Sequence, residues 1–90
     1  MKQLEKKFTG KGEVKNYNFT QLKASSSAYL YEVKCLQTEN KHYEVFKHVE
    51  NERFGCVSYP RSKSFGIWAY TKSNLKDAEK LFNEMNVLLN

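Results

Sequence analysis

Ninety residues with a net charge of +5, 40% hydrophobic and 14% aromatic content make one small domain; a chain of this size buries roughly 60–65% of its unfolded surface around a single core. Charged residues of both signs, at 28%, exclude a disordered chain, while two cysteines exclude a disulfide scaffold and point to a reducing, cytoplasmic setting. No apolar run approaches the ~20 residues that span a bilayer, and the opening "MKQLEKKFTG" lacks the apolar stretch of a secretory signal.

Residues 1–11 read as a flexible basic N-terminus, before a sheet over 13–71 and a helix over 73–88, all in one domain. Gly10 and Gly12 precede an imperfect extended pattern of Val14, Tyr17, Phe19 and Leu22, so a first strand is expected to begin near Glu13. The small polar cluster "KASSSA" (23–28) reads as a turn. In "AYLYEVKCL", Tyr29, Tyr31, Val33 and Cys35 alternate with Leu30, Glu32, Lys34 and Leu36, the period of a half-buried strand. "QTENK" is a loop with Asn40 as its turn residue. "HYEVFKHV" alternates again, and the two runs predict a β-hairpin.

"RFGCVSYP" and "FGIWAYT" are short apolar runs around "RSKS", read as a further hairpin whose first strand Pro60 ends. Leu75, Ala78, Phe82, Met85 and Leu89 then recur at three and four, which marks an amphipathic helix capped by Ser73 or Asn74, with Asp77 as the capping-box acid. The fold class is therefore α+β: an antiparallel sheet of four to five strands with one C-terminal amphipathic helix packed on one face.

Most chemistries are missing their residues. The glycines at 10, 12, 55 and 66 form no phosphate loop, and no CxxC, HExxH or EF-hand spacing occurs. Cys35, His42, His48 and Cys56 match no zinc spacing, and alternation turns the imidazoles away from Cys35. Cys35 shares its face with tyrosines and valine, a core setting rather than that of an activated thiolate. Glu32 and Glu44 can face one another across the hairpin, but lysine partners or a solvated sheet face explain them without acid–base chemistry. No enzyme activity, catalytic residue, metal, cofactor or small-molecule substrate is expected.

Binding remains. Six lysines against Glu5 and Glu13 give residues 1–23 a charge of +4, and residues 61–80 carry +3, whereas 24–60 sum to −1. Basic ends that meet in space attract polyanions; otherwise they are solvated surface lysines. In "SYPRSKSFGIWAYT", Arg61 and Lys63 lie between Tyr59 and Phe65, with Trp68 nearby and Lys72, Lys76 and Lys80 beyond. Cations for phosphates and aromatics for bases are what DNA- and RNA-binding surfaces combine. Glu32 and Glu44 at the sheet centre would push such contacts to the 60–65 turn and the basic edge. Tyr59, Phe65 and Trp68 can equally be core. The alternative is a protein partner or self-association through an apolar sheet face of Leu30, Leu36 and Phe46 beside His42 and His48.

The segments "YEVFK" (43–47), "FGCVSYP" (54–60) and "FGIWAYT" (65–71), followed by "DAEKLF", resemble small uncharacterised proteins of bacterial genomes, phages and mobile elements over roughly residues 12–85. That resemblance implies a bacterial or phage setting and no activity. The architecture alone is similar to the sheet-plus-helix DNA-binding domains of integrases, with no matching residue motif and with two glutamates against their sheet-face mode.

Overall fold

A computed structural model describes residues 3–88. Five strands form one antiparallel sheet in the order β1-β2-β3-β4-β7: β1 (Lys7–Thr9), β2 (Tyr17–Ala24), β3 (Ala28–Cys35), β4 (Lys41–Lys47) and β7 (Ala69–Lys72). Between β4 and β7 the chain leaves the sheet for a separate hairpin of β5 (Val49–Asn51) and β6 (Cys56–Ser58). Helix α1 (Leu75–Leu88) ends the described chain. The protein is thus α+β, an antiparallel sheet with one C-terminal helix. No helix among the described residues is long and apolar enough to cross a membrane.

The sheet is the middle of three layers. On one face Ala28, Leu30 and Val45 pack against Ala78, Phe82 and Met85 of α1. On the other, Phe19, Tyr29, Tyr31, Val33 and Phe46 are covered by Val57, Tyr59, Phe65 and Trp68 from the excursion between β4 and β7. This double cover buries four consecutive residues, Ala28 to Tyr31. A strand covered on one face would bury only alternate positions, so the half-buried expectation fails at this end of β3.

Local chemistry explains the connections. Ser25 Oγ accepts from the backbone N–H groups of Ser27 at 3.1 Å and Ala28 at 3.0 Å, closing the β2–β3 turn. It also donates to Asn86 Oδ1 at 2.5 Å and so ties that turn to α1. Asn74 caps the helix: Asp77 N–H donates to its Oδ1 at 2.9 Å, and its side-chain Nδ2, in place of the backbone N–H of a capping box, donates to Asp77 Oδ2 at 3.0 Å. Gly10 is required by a close crossing, because a Cβ there would lie 2.1 Å from the Val14 carbonyl oxygen.

Four expectations need correction. Lys7–Thr9 is an edge strand rather than part of a flexible terminus, with Phe8 opposite Phe19. Tyr31 Oη donates to the Glu5 carbonyl at 2.6 Å, and Tyr29 Oη to Gln3 Oε1 at 2.7 Å, anchoring the segment before it. The β3–β4 turn places Glu39, not Asn40, in the left-handed region at φ 62°. Residues 13–16 lie in a 3-10 turn (Gly12–Val14) and its continuation, so the first long strand begins at Tyr17. Finally, 56–71 is not a hairpin: β6 pairs with β5 and β7 with β4, with a 3-10 turn at Ser62–Ser64 between them.

Candidate nucleic-acid interface

The six residues singled out in the sequence do not converge on one surface. Arg61 and Lys63 are exposed at and in the 3-10 turn, on the layer that covers the aromatic face, and make no ion pair among the described residues. Phe65 is half-buried against the aromatic core. Lys72 lies opposite Tyr43, which puts it on the helix side of the sheet. Lys76 precedes buried Ala78 by two residues, roughly half a turn round α1, and so points away from the sheet.

Tyr59 is half-buried and packs against the aromatic core. Its ring meets Phe8, Phe19 and Tyr31 edge-on at 5.5 Å each and Phe46 at 5.0 Å. Its hydroxyl donates to Glu44 Oε1 at 2.5 Å, and Glu44 Oε2 meets His42 Nε2 at 3.2 Å. Burial, then the Glu44 charge, push the Tyr59 phenol far above its ordinary range. A ring packed on four aromatics, with its hydroxyl held by Glu44, is committed to that layer, which counts against its stacking on a base. The arrangement also accounts for Glu44: a carboxylate 12% exposed is held by a phenol and an imidazole.

Register decides the rest. Tyr31 lies opposite Glu44, and Glu32 opposite Tyr43, so the two glutamates occupy different faces and form no carboxylate pair. Leu30 and Phe46 are likewise on different faces and fully buried; only Leu36 of the expected apolar patch is exposed. Val33 lies opposite His42, so that imidazole shares the face of Cys35 rather than turning from it. Cys35 ends β3 beside the turn, where the Thr38 hydroxyl and the backbone N–H groups of Thr38 and Gln37 lower its pKa, a setting unlike the core environment expected for it.

A surface the sequence did not suggest emerges from the same register. Helix α1 packs on Ala28, Leu30 and Val45 of that sheet face, and toward the other end of the strands the residues of the same face are half-buried or exposed. Two rows cross the strands there. The first runs Lys7, Thr20, Glu32, Tyr43 and Lys72 over β1, β2, β3, β4 and β7. The second, one pleat repeat further from the helix, runs Thr9, Asn18, Lys34 and Lys41. Nine positions thus carry four lysines and a single carboxylate, Glu32, which Lys41 Nζ approaches at 3.6 Å. With strands about 4.8 Å apart, the first row is about 19 Å long.

The signal was present but scattered: Lys34 and Lys41 sit in the stretch with net negative charge, and only strand pairing brings them beside Lys7 and Lys72. Among the described residues no three His, Cys, Asp or Glu side chains group as a metal site. Compared with known proteins, the chain matches no family model, no curated protein and no solved structure.

Proposed function

We propose that this protein is a small, non-enzymatic accessory protein that binds nucleic acid on the uncovered half of its sheet. Lys7, Lys34, Lys41 and Lys72 neutralise phosphates, and Arg61 and Lys63 form a second, separate basic point on the opposite layer. The observation that carries the reading is the sorting of charge by face. Four lysines share an open surface with one ion-paired glutamate, while Glu44 is withdrawn to the other face by Tyr59 and His42. Clustered cations on an open polar surface attract polyanions and release counterions on binding.

The test is fluorescence anisotropy of labelled DNA and RNA oligonucleotides between about 50 and 200 mM salt. Wild type is compared with Lys34→Ala/Lys41→Ala and with Arg61→Ala/Lys63→Ala. Binding that weakens steeply with salt and falls mainly in the first variant is the expected result. Unchanged binding in that variant places the contact elsewhere, and no binding at low salt removes the reading.

A further inference from the structure

We infer that the nucleic acid taken by this face is single-stranded, with a base stacked on Tyr43; the inference rests on the nucleic-acid reading above. Tyr43 is the one aromatic residue in the two open rows, between Glu32 on β3 and Lys72 on β7, with Lys41 two residues away on its own strand. The residue is half-buried and packs against the Leu30–Val45–Phe82 cluster. The hydroxyls of Tyr29, Tyr31, Tyr59 and Tyr70 donate to protein acceptors, whereas among the described residues those of Tyr17 and Tyr43 do not.

Stacking selects between one strand and two. The next row, Leu30, Val45 and Tyr70, belongs to the cluster under α1, and Tyr43 borders it. A duplex lying across the two rows presents phosphates and base edges to them, whereas a single strand can turn its phosphates toward the lysines and a base over the ring, the combination on which single-strand modules rely. Stacking needs an unpaired base, because the faces of paired bases are occupied by their neighbours in the duplex.

The experiment compares oligo(dT), oligo(U) and a duplex of about 12 nucleotides, a length within the roughly 4–16 that single-strand modules occupy. Wild type and Tyr43→Leu are measured by anisotropy, with circular dichroism to verify the fold. Leucine keeps the packing against the helix and removes the π-face. Wild type is expected to bind one or both single strands at least about tenfold more tightly than the duplex, and the tighter of the two names the sugar recognised. Tyr43→Leu is expected to lose roughly 5- to 100-fold on the single strand, with its salt slope unchanged because no charge is removed.

Duplex bound as tightly as single strand overturns the inference while the nucleic-acid reading stands, and this comparison needs no variant. Full single-strand affinity in a folded Tyr43→Leu overturns it as well. No binding of any oligonucleotide at low salt removes both readings.

Discussion

The Tyr59 hydroxyl is the donor that lets Glu44 remain in the aromatic layer, and losing it leaves the carboxylate with only His42. Tyr59→Phe is expected to cost about 1–3 kcal/mol in a urea melt, the range for an unsatisfied buried acceptor. The same residue sets the alkaline limit. Its folded pKa is raised above the value near 10 of an unfolded tyrosine, so its stabilising contribution is complete below about pH 10 and declines as pH rises further. The slope is about 1.4 kcal/mol per pH unit per such group. Tyr59→Phe should flatten the fall of Tm above pH 10, leaving the weaker contributions of Tyr29 and Tyr31, whose pKa values burial also raises. Glu32 acts on the open face in the opposite sense from its lysine neighbours. A unit charge about 6 Å from a phosphate costs about 0.7 kcal/mol in water, so Glu32→Gln is expected to tighten nucleic-acid binding about threefold in the anisotropy titration.

At the scale of elements, the helix and the central hairpin follow from local pattern. The three-and-four spacing of Leu75, Ala78, Phe82 and Met85 and the Asn74–Asp77 box are legible without any tertiary partner, because a helix closes its hydrogen bonds within itself. The β3–β4 turn was placed correctly but not its conformation. Glu39 occupies the left-handed region at φ 62°, a cost for any residue with a Cβ, and Asn40, the better turn former, is its neighbour. Glu39→Gly is therefore expected to raise stability by about 0.5–1 kcal/mol. In a domain of this size a change of 1 kcal/mol moves Tm by roughly 4–8 °C, so a thermal melt can read the gain. The "SYPRSKSFGIWAYT" stretch misleads for the converse reason. Two apolar runs around a short polar turn look like a hairpin, yet Ser58 pairs back with Val49 in a different hairpin, and Tyr70 pairs with Val45, a contact far apart in the chain.

Across the whole molecule, the charge pattern along the chain and the charge pattern in space differ. The stretch 24–60 sums to −1, yet it supplies Lys34 and Lys41 to the open face while Glu44 goes to the covered one. The two basic stretches do not merge into one patch; Lys7 and Lys72 stand at opposite edges of the sheet with these lysines between them. Four lysines contacting phosphates predict a slope near −3 for log K against log salt on a single strand, since each contributes about 0.7. Each lysine replaced by alanine should reduce the slope by about that amount, whereas Arg61→Ala/Lys63→Ala, on the other layer, should leave it nearly unchanged.

The amino-acid sequence by itself determined the elements that depend on near neighbours: the α+β class, the amphipathic helix and its cap, the alternation of β3 and β4, and the turn at Ser25–Ser27. Alternation divides a strand into two faces but does not say which face will be covered, or by what. Only the tertiary structure decided that the excursion between β4 and β7 folds over the aromatic face and packs Tyr59 against it. It alone brought β7 to β4 and so placed Lys72 beside Tyr43. It also set the β3–β4 register, which a slip of one residue would have inverted. Pairing and cover are settled by the burial of apolar surface between segments distant in the chain, and that energy belongs to no local stretch of residues.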